Sequence, residues 1–300
     1  MDEKVTIVGA GPAWMAAAIY LQRAGLAPVV LERGAPGGLL RSEGLVENYP
    51  GFPDGIRGVE LVEKIKRQLR KVGARITKAN VVRVAPSAKG FAIQTDKRKF
   101  TTQAVLIATG TSPKGIHLQG PASVLRKKVF NEIIEIPGRV YGKKILIIGG
   151  GDAAFDYALN LEGQGANVTI ITRSAPHCLR LLQERVKVRQ IKMITGARPG
   201  FLKGSPKGLI LQSRMGGQQI ETAGDLILLA CGRTPNLDIL SPDLRRRLAS
   251  RTDVPRTGVQ GLYLVGDVAR GNHRQTGIAV GDGIRAAMLA QDYLGRRPTR

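Results

Sequence analysis

The chain has 300 residues, 43% of them hydrophobic, which is enough to form two domains with a substantial core. Its 46 Lys and Arg residues against 23 Asp and Glu residues give a net charge of +23, but only 4% of the residues are aromatic, so specific nucleic-acid recognition by base stacking is not expected. No apolar run reaches the length of a membrane span, residues 1–4 show no signal-peptide features, and only two cysteines occur, so we expect a cytoplasmic protein without membrane insertion or a disulfide scaffold.

The first predicted elements, in residues 5–32, are a strand, a glycine turn, an alanine-rich helix and a second strand that ends in Glu32. This order is the opening βαβ unit of a dinucleotide-binding fold. Gly9 permits the tight turn, and Gly11 lets the backbone approach a pyrophosphate seated on the helix N-terminus. Glu32 is placed to accept hydrogen bonds from a ribose. The unit therefore predicts a bound dinucleotide.

Trp14 breaks this motif, because it occupies the third small position, where glycine lets the helix pack closely on the strand. One interpretation is that the indole fills a widened gap in the core and the dinucleotide still binds. The other is that the nucleotide site is distorted or lost, which would leave a non-catalytic nucleotide-binding or redox-sensing protein. The sequence leaves both interpretations open.

The next segments extend the same predicted domain. A glycine-rich connection, residues 34–38, allows close approach of the backbone to a flat ligand. The helix predicted over residues 59–72 has one apolar stripe with basic residues opposite, and two short strands follow it. A buried strand over residues 104–108 then delivers Thr109 and Gly110 to its carboxyl end, where open α/β sheets bind their ligands.

A second βαβ unit follows a linker rich in Pro and Gly, residues 111–120. A strand over residues 144–148 leads through the turn GGGDAA into a helix, and the next strand ends in Arg173. An acid at the end of the second strand suits a free ribose 2′-hydroxyl, whereas an arginine suits a 2′-phosphate. The first unit is therefore predicted to bind FAD and the second NADPH.

The last predicted elements are a strand over residues 225–230, a strand over residues 261–266 that ends in Asp267, and a closing helix over residues 277–294. Asp267 has three interpretations, as a catalytic acid, a metal ligand or an acceptor of hydroxyl hydrogen bonds. Because no second acid or histidine lies beside it at ligand spacing, we predict the third role, with a flavin ribityl chain as donor. The closing helix is predicted to point its N-terminus at the pyrimidine end of an isoalloxazine, with His273 nearby.

The order of these motifs resembles the thioredoxin-reductase-like branch of two-domain flavoproteins over essentially the whole chain. The segments that carry the resemblance are VGAGPA, PGGLL, VENYPGFP, LIATG, GKKILIIGGGDAAFDYAL, ACGRTPN, LYLVGD and RQTGIAVGDG. The resemblance implies an α/β fold of two dinucleotide-binding, Rossmann-like domains with ββα three-layer architecture. A NAD(P)H-binding domain, residues 113–242, would be inserted in a FAD-binding domain, residues 1–112 and 243–300, and the protein would form a homodimer.

The motifs and this resemblance together assign the site residues. The residues predicted to contact FAD are Gly9, Gly11, Ala13, Glu32, Gly38, Leu39, Asn48, Val82, Thr109, Gly110, Gly266, Asp267, Gln275 and Thr276. Those predicted to contact NADPH are Gly149, Gly151, Asp152, Ala153, Arg173 and Arg180, and no metal site is predicted. Ser174 and Cys178 stand where the family has two further arginines, so the preference for NADPH over NADH rests on Arg173 with Arg180 nearby.

Thioredoxin reductases carry a CxxC motif just before the strand that opens the GGGD turn, whereas residues 129–136 here, VFNEIIEI, contain no cysteine. Cys178 and Cys231 lie on different predicted elements and are interpreted as packing residues. Without a dithiol, hydride that reaches the flavin cannot leave as a pair of protein thiolates. Thioredoxin-reductase-type ferredoxin–NADP reductases also lack the dithiol, and this chain is similar to them at GGGDAAFDYALNLE.

The sequence therefore predicts a FAD enzyme that exchanges hydride with NADPH and single electrons with a small acidic carrier such as ferredoxin, without a catalytic side-chain nucleophile. A basic surface would speed the encounter with an acidic partner. Two features depart from that group: its members usually extend past the closing helix with an aromatic residue on the flavin, and the glutamine of their GGQL loop is Leu39 here. The alternatives are another acceptor, such as a quinone, free flavin, oxygen or a partner's disulfide, and the non-catalytic protein.

Overall fold

The protein divides into two compact units in a computed structural model that describes residues 2–116, 118–206, 208–248 and 254–296. The outer unit comprises Met1–Arg41, Leu45–Ser112 and Thr234–Arg300, and the inserted unit comprises Ser42–Gly44 and Pro113–Arg233. The α/β fold with one dinucleotide-binding domain inserted in another is confirmed. Residues 234–242, which the sequence assigned to the inserted domain, lie in the outer unit, where the Val84 backbone N–H donates to the Ile239 carbonyl at 2.7 Å.

Both units contain helices and strands. The helices are α1 (Pro12–Arg23), α2 (Gly58–Lys71), α3 (Ala122–Lys128), α4 (Asp152–Gly163), α5 (Arg180–Val188), α6 (Pro242–Arg247) and α7 (Thr276–Gly295). The strands are β1 (Asp2–Val8), β2 (Val29–Glu32), β3 (Ile76–Lys78), β4 (Val81–Ser87), β5 (Gly90–Thr95), β6 (Lys99–Ile107), β7 (Thr111–Pro113), β8 (Val129–Phe130), β9 (Lys144–Ile148), β10 (Asn167–Thr172), β11 (Lys192–Thr195), β12 (Arg198–Ser205), β13 (Gly208–Met215), β14 (Gln218–Gly224), β15 (Leu226–Leu229), β16 (Arg233–Pro235) and β17 (Leu262–Leu264). Short 3-10 turns occupy Gly38–Ser42, Ile133–Glu135 and Gly266–Val268.

The sheet of the outer unit has the strand order β3-β2-β1-β6-β5-β4, and β17 also pairs with β6. The strands β1, β2, β3, β6 and β17 run parallel, and β4 and β5 are antiparallel to their neighbours. Val8 pairs with both Leu31 and Ile107, and Ile107 pairs with Leu264. The residues that follow these four strands therefore meet at one sheet edge, as a dinucleotide site requires.

Alternating apolar side chains bury both faces of this sheet, because successive residues of a strand point to opposite sides. Ile7 and Leu106 belong to the core cluster that contains residues of α1, α2 and α7, whereas Val8 and Ile107 belong to the cluster that contains residues of α6. The strand predicted over residues 104–108 begins earlier, at Lys99, and ends at Ile107.

Helices α1 and α7 pack closely and bring the two ends of the chain together. A Cβ atom at Gly283 would lie 1.9 Å from the Ala13 carbonyl oxygen, so only glycine allows this contact. The rest of the two helices contributes small, fully buried residues, namely Ala17, Ala18, Ala286, Ala287 and Ala290. This contact between chain ends was not predicted from the sequence.

The inserted unit has a parallel sheet of order β11-β10-β9-β15-β8. Ile148 at the end of β9 pairs with Ile171 on β10 and Leu229 on β15, so the residues after these strands also share one edge. An antiparallel sheet of β12, β13 and β14 completes the unit and was missed by the sequence analysis. Strands β7 and β16 form a separate two-stranded sheet.

Trp14 lies in the core of the outer unit, with no exposed surface, in the cluster that also contains Leu40, Val46 and Val62. The indole is therefore a packing residue, as the first interpretation required. Its Nε1 atom is buried and finds no hydrogen-bond partner among the described residues. The side chain thus combines a large apolar contribution with one unsatisfied donor.

We therefore expect the Trp14 ring to stabilise the fold and its buried N–H group to destabilise it. We expect Trp14→Ala to lower the free energy of unfolding by about 3–5 kcal/mol, the usual cost of deleting a buried aromatic ring. Trp14→Phe should be clearly milder, because it keeps a ring and removes a buried donor whose desolvation costs about 1–3 kcal/mol. Circular dichroism during urea unfolding measures both, since each variant lacks the only tryptophan. An alanine variant as stable as the phenylalanine variant would contradict the packing role.

Candidate functional site

The first cradle is the turn Gly9-Ala10-Gly11 together with the first turn of α1. Gly9 has a φ of +104°, and a Cβ there would lie 2.3 Å from the Ala108 carbonyl oxygen, so the end of β1 requires glycine. Gly11 is the N-cap of α1 and, as a glycine, has no side chain to cap the first helix N–H groups. A Cβ at Gly11 would meet no described atom within 4 Å. Open space thus lies in front of uncapped helix N–H groups, which suits a pyrophosphate.

The glycine-rich loop that follows β2 is fixed against the first cradle. The Gly37 N–H donates to the Ala10 carbonyl at 2.7 Å, and a Cβ at Gly38 would lie 3.3 Å from the Gly11 Cα. Glu32 ends β2, and its Oε1 accepts the Gly34 N–H at 2.6 Å. The predicted contacts Gly11, Glu32 and Gly38 therefore come together, with Leu39 partly buried next to Gly38.

Thr109 and Gly110 follow β6 at the same sheet edge and are held by Asn236. The Thr109 hydroxyl donates to the Asn236 carbonyl at 2.6 Å, and the Asn236 side-chain amide donates back to the Thr109 carbonyl at 3.0 Å. The Asn236 N–H also donates to the Gly110 carbonyl at 3.0 Å. Sequence reasoning treated Asn236 only as part of the motif ACGRTPN and missed this role.

Gly266 and Asp267 follow β17, and a buried ion pair supports their turn. Asp282 on α7 is 4% exposed, and its Oδ2 accepts the Gly266 N–H at 3.3 Å. The Arg270 Nε donates to the same oxygen at 2.9 Å, and its Nη2 donates to Oδ1. This hydrogen bonding raises the pKa of Arg270 above its ordinary value. A Cβ at Gly266 would lie 3.0 Å from the Ala13 Cβ, so this turn also adjoins the first cradle.

The N-terminus of α7 contributes the last group of predicted contacts. Asn48 donates through Nδ2 to the Oε1 of Gln275 at 2.6 Å, and Thr276 begins the helix. The Arg274 Nε is buried and has no hydrogen-bond partner in the described ranges. A buried donor without a partner, next to Gln275 and Thr276, fits a ligand that is rich in oxygen and nitrogen acceptors, as FAD is.

Two residues considered for the flavin site have exposed side chains. Val82 is on β4, at the far end of the sheet order, and its side chain is exposed. His273 is exposed in the loop before α7, with its N–H donating to the Arg270 carbonyl at 2.9 Å.

The second cradle is the turn Gly149-Gly150-Gly151 with the first turn of α4. A Cβ at Gly149 would lie 2.4 Å from the Ala230 carbonyl oxygen, the same constraint as at Gly9. Asp152 and Ala153 begin α4 with exposed side chains, and Arg173 follows β10 at this edge and is exposed. Arg180 instead lies on α5, with a side chain that is 92% exposed and paired with Glu184 at 2.9 Å. The predicted NADPH residues therefore lie close together, since the Leu179 N–H next to Arg180 donates to Asp152, but the Arg180 guanidinium is paired with Glu184.

A buried ion pair occupies the segment in which the family carries its dithiol. Glu132 accepts from Arg233 Nη1 at 2.5 Å through Oε1 and from the Tyr157 hydroxyl at 2.8 Å through Oε2. Burial, and then the Glu132 carboxylate, raise the pKa of Tyr157. Glu135 caps the next turn, because its Oε2 accepts the N–H groups of Asn131 and Glu132 at 3.0 and 3.2 Å.

The two cysteines are free thiols that do not lie near each other. Burial, and then the Asp152 charge, raise the pKa of Cys178 to about 11. Burial also raises the pKa of Cys231, although Arg173 opposes the shift, and its thiol donates to the Ile148 carbonyl at 3.3 Å. Both thiols are therefore protonated at neutral pH, and a protonated thiol is a poor nucleophile.

The described residues contain no group of three or more His, Cys, Asp or Glu side chains suited to a metal ion. Within the same ranges, no helix combines the length and the apolar character needed to cross a bilayer.

Comparisons with known proteins give one consistent result. A family model described as pyridine nucleotide-disulphide oxidoreductase matches residues 3–283. Thioredoxin reductase of Neurospora crassa is 32% identical over 316 residues, which cover 98% of this chain and 94% of its own. Thioredoxin reductase 1 of Saccharomyces cerevisiae is 32% identical over 315 residues, with 98% of both chains covered. The crystal structure of Lactococcus lactis thioredoxin reductase in its FR conformation has a TM-score of 0.91 at 30% identity, covering 98% of this chain and 100% of its own.

The open first cradle yields a test that separates flavin binding from folding. Gly11 has a φ of −82°, which any residue adopts, and space for a side chain, so Gly11→Val should fold. The added methyl groups should weaken FAD binding about tenfold or more, because overpacking a filled site costs about 1–3 kcal/mol. The visible spectrum of purified protein reports bound FAD, and Gly115→Val, at an exposed linker glycine, is the control. Unchanged flavin content in Gly11→Val, or a colourless wild type, would contradict the assignment.

Proposed function

Because this chain belongs to the thioredoxin-reductase-like pyridine nucleotide-disulphide oxidoreductases, a family of NAD(P)H-dependent flavoproteins, we propose that it oxidises NADPH and reduces a small acidic electron carrier such as ferredoxin. The observation that carries the proposal is the replacement of the dithiol segment by the Glu132–Arg233 ion pair. A carboxylate held by a guanidinium and a phenol has no thiol chemistry to offer. Reducing equivalents would therefore leave from the flavin without passing through protein sulfur.

The residues of the first cradle fit FAD. Gly11 and the N-terminus of α1 would bind the pyrophosphate, Glu32 the ribose, and Asp267 the ribityl hydroxyls. When bound, FAD accepts a hydride from a nicotinamide and can release electrons one at a time. The protein's contribution is to position this group, and Asn236, Asp282 and Arg270 fix the turns that would contact it.

The preference for NADPH over NADH is supported by Arg173. An arginine at the end of the second strand of a dinucleotide-binding unit suits a 2′-phosphate, which it contacts through a planar fork. Arg173 is exposed at the edge that also holds the second cradle. In the first unit the corresponding position is the acid Glu32.

The basic face of α2 supports an acidic protein partner. Leu61, Val62 and Leu69 are buried, whereas Lys64 and Arg67 are exposed on the other side of the helix. A Cβ at Gly37 would lie 2.9 Å from the Val62 side chain, so α2 adjoins the loop of the first cradle. A positive surface beside a flavin site would steer an acidic carrier to a productive encounter.

A homodimer is part of the same proposal. Ile284 and Met288 lie one helical turn apart on α7 and are 39% and 47% exposed. Large apolar side chains in such positions are typical of interfaces. Light scattering of the purified flavoprotein measures the oligomeric state.

The acceptor is tested by anaerobic stopped-flow mixing of the flavoprotein with NADPH and several ferredoxins. We expect catalytic ferredoxin reduction, and we expect the double variant Cys178→Ala, Cys231→Ala to retain it, because neither thiol is a nucleophile at neutral pH. Thioredoxin and free disulfides serve as comparison acceptors in the same assay. Reduction of a quinone, free flavin, oxygen or a disulfide, but of no ferredoxin, would replace the proposal with the corresponding acceptor. Activity that disappears with the cysteines would contradict a route without sulfur.

The docking surface has its own test. The double variant Lys64→Glu, Arg67→Glu should lower kcat/KM for ferredoxin about tenfold at low ionic strength, and the loss should shrink as salt screens the charges. The matched control reverses Arg23, the last residue of α1, and Arg75, just before β3, which are both exposed at the end of the sheet opposite the cradle. Equal losses in both double variants would argue for a general charge effect instead of docking on α2.

A further inference from the structure

The two cradles differ at the glycine that a pyrophosphate approaches. In the first cradle, a Cβ at Gly11 would meet no described atom within 4 Å. In the second, a Cβ at the equivalent Gly151 would lie 3.2 Å from the His177 Nε2. A Cβ at Gly150 would lie 3.6 Å from the His177 Cε1. An imidazole therefore lies against the turn in the place that the outer unit leaves open.

The loop that carries His177 is fixed over the turn by several hydrogen bonds. The His177 backbone N–H donates to the Gly150 carbonyl at 2.9 Å, and the Leu179 N–H donates to the Asp152 Oδ1 at 2.8 Å. Cys178 between them is buried in the core of the inserted unit, which leaves the imidazole on the exposed side. The position of the ring is therefore set by the fold of the loop.

The chemistry of this position suits a phosphate. Gly151 is the N-cap of α4 and, as a glycine, has no side chain to cap the helix, so the first N–H groups and the helix dipole favour an anion there. The Asp152 carboxylate, which would repel an anion, is engaged by the Leu179 N–H. An imidazole N–H is a donor at neutral pH in either charge state, and a hydrogen bond to a charged acceptor is stronger than a neutral one.

His177 would also contribute to nucleotide binding at a site where this chain has fewer available arginines than the family. Ser174 and Cys178 carry no positive charge, and Arg180 is paired with Glu184 on α5. Arg173 is the cation at the end of β10, on the side of the adenosine ribose. A separate donor at the pyrophosphate would divide the recognition of the nucleotide between two side chains.

We infer that His177 binds the pyrophosphate of the pyridine nucleotide, while Arg173 binds the 2′-phosphate. The inference rests on the NADPH site of the proposed function and is independent of the electron acceptor. Residues 174–178, SAPHC, have the composition of a linker, so the sequence pattern alone does not indicate a ligand role for His177. The signal becomes visible only when the loop is folded against the glycine turn.

The test compares three ligands that carry different phosphates, by titration calorimetry on the intact flavoprotein. ADP carries the diphosphate without a 2′-phosphate, 2′-AMP carries only the 2′-phosphate, and NADP⁺ carries both. His177→Ala should weaken ADP and NADP⁺ about tenfold, the value of one hydrogen bond to a charged group, and leave 2′-AMP unchanged. Arg173→Ala should weaken 2′-AMP and NADP⁺ and leave ADP unchanged. His177→Gln, which keeps a donor, should recover part of the ADP affinity.

The outcomes separate this inference from the proposed function. Retained 2′-AMP binding by His177→Ala shows that the site is still folded. Unchanged ADP affinity in that variant overturns the inference alone, and tighter ADP binding overturns it by showing that the imidazole blocks the turn. A wild-type flavoprotein that binds none of the three ligands overturns both. Failure to reduce ferredoxin, with the ligand pattern as expected, overturns the proposed acceptor alone.

Discussion

The outer unit depends on the contact between Ala13 on α1 and Gly283 on α7. A Cβ at residue 283 would stand 1.9 Å from the Ala13 carbonyl oxygen, so any other residue would force the two helices apart. The same turn of α7 carries Asp282, which accepts the Gly266 N–H and pairs with Arg270. One helical turn thus sets the distance between the helices and supports the turn after β17. The first cradle, at the N-terminus of α1, keeps its position relative to Asp267 and Gln275 only while this contact holds.

The Glu132 cluster gives the inserted unit its distinctive chemistry. Glu132 and Glu135 have the spacing of a CxxC motif, and both carboxylates have structural roles, since the first binds Arg233 and Tyr157 and the second caps a turn. Removing one partner of such a buried pair leaves an uncompensated charge, at a cost of about 3–5 kcal/mol. The segment is therefore specified by packing and charge. Residues 129–136 contain no cysteine, so the dithiol through which the family passes electrons is missing from this segment. This supports an electron path that ends at the flavin.

The local patterns predicted the fold well. The strand, glycine turn and helix of both βαβ units are specified by residues close in sequence. Glu32 and Arg173, at the ends of the second strands, could be recognised in the same way. The strands β12 to β14 were missed because β12 contains Pro199, Gly200 and Gly204, which indicate a loop, and its register shifts at a bulge between Pro199 and Phe201. Asn236, Asp282, Gly283 and His177 were missed for another reason: each acts on residues far away in sequence. No periodicity reports such contacts, and the burial of Trp14 could likewise be seen only in three dimensions.

The order of the elements along the chain has a consequence for synthesis. The inserted unit, apart from Ser42–Gly44, lies between Pro113 and Arg233, whereas β17 and α7 of the outer unit are translated afterwards. Domains tend to fold as they leave the ribosome, so the inserted unit can complete its parallel sheet while the outer unit still lacks α6, β17 and α7. During that interval α7 does not yet cover the face of α1 that is formed by small apolar residues. The flavin would therefore bind only late in synthesis. Until then, the uncovered face of α1 is the surface that a chaperone would bind.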